Sequence, residues 1–133
     1  MDTGPALVSI LRQGPYLIAS IHTALDDSQM VRFQKDLIHK IGQYRSSGVI
    51  IDVAALDVLD SFGSRTQSHI AEMARLRGAT TVIVGIQPNV AFAMVELGMD
   101  ASALETALDL EEGLAHLSRR TGRVAVSAQT QPS

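Results

Sequence analysis

The chain contains no cysteine. Disulfides, thiolate zinc sites and thiol nucleophiles are therefore excluded together. The absence suits a reducing compartment, and a cytoplasmic location is expected. Tryptophan is also missing and aromatic residues make up only 4%, so the core must be built from Ile, Leu, Val, Ala and Met. Lysine is scarce, with Lys35 and Lys40 the only two. Basic residues number 11 against 14 acidic ones, a net charge of −3. With no basic stripe, nucleic acid is not an expected partner. Long apolar runs are lacking too. The stretch from Ala6 to Ile21 is broken by Arg12, Gln13, Gly14 and Pro15, and no basic segment precedes it. Neither a signal peptide nor a membrane span is expected.

What is present is ordinary globular material. Apolar residues make up 46% of the 133 residues and charged residues 19%, enough for one core without staples. The apolar runs Ala6–Leu11 and Tyr16–Ile21, split by Gln13-Gly14-Pro15, predict a β-hairpin. Leu25-Asp26-Asp27-Ser28 suits a helix start. Met30, Phe33, Leu37 and Ile41 then recur at helical spacing, with Val31 and Ile38 widening the stripe, and the helix is expected to end near Ser46-Ser47-Gly48. Gly48–Val53 reads as a strand buried on both faces. Asp57–Phe62 is expected as a loop into a second helix, whose inward face carries Phe62, Thr66, Ile70, Met73 and Leu76. Arg75, Arg77 and Gly78 suit its end. Ala79–Gly85 predicts another buried strand and Val90–Leu97 a third helix. A short edge strand is expected over Leu104–Leu108. A fourth helix starts at Asp109, with Leu110, Leu114 and Leu117 on one face and Arg119-Arg120 at its end.

This order predicts an α/β fold: a mixed, mostly parallel sheet with an N-terminal strand pair, packed against about four helices. Residues 1–121 are expected to form one domain, and the Gln-, Thr-, Ser- and Ala-rich stretch 122–133 a disordered tail.

The templates of catalysis do not fit. There is no GxxxxGK[ST] loop, no GxGxxG after a strand and no GxSxG elbow. His22, His39, His69 and His116 share no metal-ligand spacing; the last three fall in predicted helices, as surface or boundary residues. No catalytic residue, cofactor or metal is expected. Asp26 with Asp27, and Asp57 with Asp60, could be read as catalytic or metal pairs, but capping and loop solvation account for them. Asp52, at a strand end, lacks the acidic pair and distant lysine that a receiver-type phosphoacceptor needs. One pattern remains. In Val58-Leu59-Asp60-Ser61-Phe62 a hydroxyl sits at the start of a helix, directly after a buried strand and a loop. A phosphate on Ser61 would meet the unsatisfied N–H groups of that terminus. On pattern alone, a simple helix cap at Asp60 or Ser61 is the leading reading and a phosphosite the minority one.

Several segments, in order and at matching spacing, make the chain recognisable. They include Leu25-Asp26-Asp27 with Phe33-Gln34, Gly48–Asp52, Asp60-Ser61-Phe62 and Leu76-Arg77-Gly78-Ala79. They continue through Gly85-Ile86-Gln87-Pro88, Val90-Ala91, Glu96-Leu97-Gly98 and Glu105–Leu110. Over about residues 7 to 120 the chain resembles the STAS family (sulfate transporter and anti-sigma antagonist domain) and, within it, the RsbS type of stressosome protein. The family fold is a sheet with an N-terminal strand pair packed against helices. Its phosphorylated serine follows an Asp at the start of the second helix, which here matches Ser61 after Asp60.

The resemblance implies a non-enzymatic scaffold and switch that self-associates into a large complex. Its implied partners are RsbR-like STAS paralogues, an RsbT-like serine kinase released on phosphorylation under stress, and an RsbX-like phosphatase that resets the system. The alternative is a simple anti-anti-sigma factor acting on a kinase/anti-sigma partner. Those factors usually carry Asp-Ser-Ser-Gly, whereas this chain has Asp60-Ser61-Phe62-Gly63, which favours the RsbS type. RsbR-like paralogues usually carry Thr and a long N-terminal sensor domain, and neither is expected here. Val84 replaces a hydroxyl found in some relatives, which excludes a second phosphosite there. Kinase contact is expected from Asp57, Asp60, Gly63, Ser64 and Arg65. Phe62 reads as core, with kinase contact the minority reading. In the third helix Phe92, Met94, Val95 and Leu97 are more apolar than one face can hide; assembly through Phe92 and Met94 is expected, and simple burial is the competing reading.

Overall fold

The computed structural model describes residues 7–23, 25–55, 61–87 and 105–122, with backbone alone over 61–68. Asp57, Asp60, the expected helix Val90–Leu97 with Phe92 and Met94, the strand start at Leu104 and the tail beyond Gly122 lie outside the described residues.

Strands β1 (Val8–Gln13) and β2 (Tyr16–Ile21) pair antiparallel, with Gln13 opposite Tyr16. The turn is therefore only Gly14-Pro15, with Gly14 at φ +59°. Arg12 and Gln13 belong to the strand, two residues beyond the expected end at Leu11. Helix α1 (Asp27–Tyr44) starts at a full capping box. The Asp26 carboxylate accepts from the Gln29 N–H at 2.8 Å, and the Gln29 side chain accepts from the Asp26 N–H at 2.9 Å. It ends at Arg45, which takes the left-handed conformation at φ 49°. Its buried stripe is Met30, Phe33, Leu37, Ile38 and Ile41. Val31, expected to widen the stripe, is 40% exposed, because it lies a quarter-turn off the core face.

β3 (Gly48–Asp52), β4 (Thr80–Val84) and β5 (Glu105–Ala107) extend the sheet in parallel, in the order β1-β2-β3-β4-β5. Helix α2 (Ser61–Leu76) connects β3 to β4, and helix α3 (Leu110–Thr121) follows β5. Leu76 does not join the inward face: it is 87% exposed, while Ile70, Ala71 and Ala74 are buried. The small alanines let α2 approach α1 and the sheet closely, a contact the spacing of large apolar residues does not reveal.

The sheet separates two cores. Leu17, Ala19, Ile21, Val49, Ile51 and Ile83 point toward α1 and α2, whereas Ile18, Ile50, Val82 and Val84 point toward α3 and its Leu117. Leu110 and Leu114 complete the apolar face of α3 as expected. Gly48 must be glycine here: an added Cβ would lie 2.9 Å from both Leu117 and Tyr16. The Tyr16 and Thr121 hydroxyls, 3.0 Å apart, join the first hairpin to the last helical residue. No helix among the described residues is long and apolar enough to cross a membrane.

Candidate switch site

The parallel register sets Ser20, Asp52, Val84 and Ala107 side by side at the carboxyl ends of β2, β3, β4 and β5. Each helix follows one of these exits, so the N-termini of α1, α2 and α3 share one end of the molecule. The first turn of every helix has N–H groups without intrahelical partners and a partial positive charge. Asp26 and Asp109 cap two of these starts; the Asp109 carboxylate accepts from the Glu112 N–H at 2.9 Å. The Gln29 N–H and then the Ser28 hydroxyl hold the Asp26 carboxyl below its ordinary value.

The strand exits are fixed by a short network. The Asp52 carboxylate accepts from the Ala54 N–H at 2.9 Å. The Val53 N–H donates to the Val84 carbonyl at 3.0 Å, and the Gly85 N–H to the Leu108 carbonyl at 3.2 Å. The Gln87 amide donates to the Ala54 carbonyl at 3.1 Å. Together these bonds tie the β3 exit, which leads to Ser61, to the exits of β4 and β5.

Ser61 is the first residue of α2. Gly63, Ser64 and Arg65 occupy the opening turns of the same helix, with Ser64 and Arg65 three and four positions on, the spacing of one helical face. The helix thus begins at Ser61, within the expected loop Asp57–Phe62 and at the helix start where the hydroxyl was expected, placing that residue at the positive end itself. Phe62 is helical and its side chain is outside the described residues, as are Asp57 and Asp60 in full. The rim is acidic, carrying Asp26, Asp27, Asp52, Asp109, Glu111 and Glu112. Among the described residues no group of three or more His, Asp or Glu is arranged to hold a metal.

One polar cluster escaped the sequence reading. Glu105, on β5, contacts the His116 ring and takes a bidentate contact from Arg120, whose terminal nitrogen lies 2.9 Å away. His116 and Arg120 stand four apart on α3, which hints at a shared face, but nothing local names Glu105 as their partner.

The profile of the STAS domain matches residues 8–113. The chain belongs to the STAS domain family. The fold of this STAS domain superposes on a Ser-to-Glu variant of RsbS from Moorella thermoacetica with a TM-score of 0.78, at 35% identity, covering 89% of this chain and 100% of the other. It superposes on a chain from the molecular architecture of the stressosome, a signal integration and transduction hub, with a TM-score of 0.71 at 32% identity, covering 85% and 98%. It is 30% identical over 103 residues to RsbRA of Bacillus subtilis (strain 168), an RsbT co-antagonist protein, and covers 77% of this chain. The match spans only 38% of RsbRA. The likeness of this STAS domain is therefore to the RsbS and RsbR proteins of the stressosome.

Proposed function

We propose that this STAS domain is a phosphorylatable scaffold and switch, not a catalyst, in a cytoplasmic stressosome. It co-assembles with RsbR-like STAS proteins, holds an RsbT-like serine kinase and releases it when Ser61 is phosphorylated; an RsbX-like phosphatase restores the starting state. The observation that carries this reading is the place of Ser61 as first residue of α2, at the end where the helix starts gather. The similarity to RsbS over nearly the whole chain supports it.

The physical sequence is simple. A docked kinase rests on the start of α2, through Gly63, Ser64 and Arg65 and the preceding Asp57 and Asp60. Phosphorylation brings a charge of about −1.5 to −2 to this point. The helix terminus tolerates the phosphate, so the fold survives. The acidic rim does not favour a second anion at a docked surface, and repulsion with desolvation weakens the complex. A loss of about 1.4 kcal/mol is already tenfold in affinity. Phe92 and Met94 serve assembly with neighbouring STAS domains.

Incubation with the cognate kinase and ATP, followed by intact-mass measurement, tests the site: one phosphate is expected on the wild type and none on Ser61→Ala. In a pull-down, Ser61→Ala should retain the kinase and Ser61→Asp should lose it. Equal retention by both variants removes the electrostatic release.

A further inference from the structure

The link between β5 and α3 carries an apolar side chain that the fold does not use. Leu108 is 80% exposed. Its backbone is nevertheless held on both sides. The Leu108 N–H donates to a Glu112 carboxylate oxygen at 2.6 Å, and its carbonyl accepts from the Gly85 N–H at 3.2 Å. The next residue, Asp109, caps α3. The side chain is therefore presented outward from a fixed point.

Its position makes this exposure unusual. An apolar residue just before a helix cap ordinarily packs against the residue five positions on, which fixes how the chain enters the helix. Here that residue is Gly113, which offers no side chain. Nothing larger fits, because an added Cβ would lie 2.8 Å from Val84 and 3.3 Å from Ile50. The core beneath α3 thus removes the intramolecular partner of Leu108, and polar bonds fix the entry angle instead. Single exposed leucines are ordinary on protein surfaces. Leu76, 87% exposed at the far end of α2, is one. Leu108 differs in its rigid seat and in its surroundings.

Those surroundings are the candidate switch. Leu108 leaves β5 at the end of the sheet where α2 begins with Ser61. The β3 and β5 exits are two strand spacings apart, about 10 Å. That lies well inside the roughly 800 Å² that one partner gives to a standard interface. Asp109, Glu111 and Glu112 follow at once, with no cation between Leu108 and Gly113.

We propose, resting on the switch reading above, that Leu108 is the apolar anchor by which the serine kinase engages this domain. It inserts into an apolar pocket on the kinase whose rim is basic and faces Asp109, Glu111 and Glu112. Burying a side chain whose backbone is already fixed loses little freedom, so the anchor supplies affinity. The carboxylates stay at a wet rim, where they steer approach and set the salt dependence. The anchor is separate from Asp57, Asp60, Gly63, Ser64 and Arg65, and it enlarges the docking surface from the start of α2 to the start of α3.

The test is the affinity of the intact protein for its cognate kinase in the presence of a non-hydrolysable ATP analogue, measured by biolayer interferometry. Leu108→Ala should weaken binding on the order of tenfold, the scale of a truncated apolar anchor, and leave the melting temperature unchanged. Leu108→Met keeps the apolar volume and should bind as the wild type does. Leu76→Ala removes a comparably exposed leucine from the far end and should change nothing. With ATP, phosphorylation of Ser61 in Leu108→Ala should show a raised KM for the protein and an unchanged kcat, because docking is impaired and the serine is not. Wild-type affinity in Leu108→Ala, an equal loss in Leu76→Ala, or a fall in kcat at unchanged KM would overturn the anchor and leave the switch standing. A wild type that neither binds the kinase nor takes phosphate from it overturns both.

Discussion

Gly85 stands against Ala54 so closely that a Cβ on the glycine would come within 2.7 Å of the alanine Cβ and 2.9 Å of its backbone. Gly85 also has a φ of +82°. Both facts concern the β3 exit, because Ala54 is the residue fastened to Asp52 and Gln87. Gly85→Ala therefore suffers strain and collision together. A loss of about 1–3 kcal/mol is expected from the left-handed conformation alone, with the clash adding to it. Chemical denaturation reads the stability, and, on the proposed switch, slower phosphorylation of Ser61 would register displacement of the exit.

Asp109→Ala tests the cap of α3. Its carboxylate holds the Glu112 N–H at 2.9 Å, and the loss of such a cap costs about 1 kcal/mol. Asp109→Asn should recover most of it, since the amide oxygen can still accept. Urea midpoints of the three proteins decide this.

Leu117 is fully buried on the α3 side of the sheet. Leu117→Ala leaves a hole beside Gly48, Tyr16 and Ile50, and a loss of about 2–5 kcal/mol is expected. A much smaller loss would mean that α3 collapses into the space or contributes little to the cooperative unit, which hydrogen exchange in α3 would distinguish.

The Glu105 carboxyl is held below its ordinary value of 4.5, chiefly by the Arg120 guanidinium and then by His116. A depressed folded-state pKa means that unfolding takes up protons in acid. The stabilisation is complete above the unfolded value near 4.5 and disappears as pH falls through the lower folded value. Glu105→Gln should lower stability at neutral pH and flatten the pH dependence below about 4.5. Denaturation midpoints at pH 7, 5 and 3.5 provide the check, and an unchanged slope would put the acid sensitivity elsewhere.

Much of the architecture was legible because short-range signals agreed. Leu25-Asp26-Asp27-Ser28 announces a helix start before the Met30–Ile41 stripe, and Leu110, Leu114 and Leu117 form a like stripe in α3. Parallel pairing followed from strands alternating with helices. The edges of the stripes were not legible. Val31 and Leu76 keep helical spacing yet face water, because spacing fixes a direction to within a quarter-turn only, while Ala71 and Ala74 pack by being small. At the candidate switch, the pattern placed Ser61 at a helix start after a strand and a loop but favoured a cap there; the resemblance to the STAS family singled it out. That its helix start shares one end with two others needed the sheet order. The Glu105–His116–Arg120 cluster joins a strand to a helix more than a dozen residues on in part.

The sheet order has a consequence for how the chain is made. Among the described residues, each strand lies beside the one that precedes it in sequence. As synthesis proceeds, each new strand finds its edge already formed, and no earlier pairing must reopen to admit it. Growth of this kind could proceed vectorially, domain edge by domain edge. The side covered by α3 is different. Leu117 must return to Tyr16, and Thr121 to the Tyr16 hydroxyl, across almost the whole chain. Helix α3 is thus a latch: until it closes, Ile18, Ile50, Val82 and Val84 lack the apolar cover that Leu117 gives them.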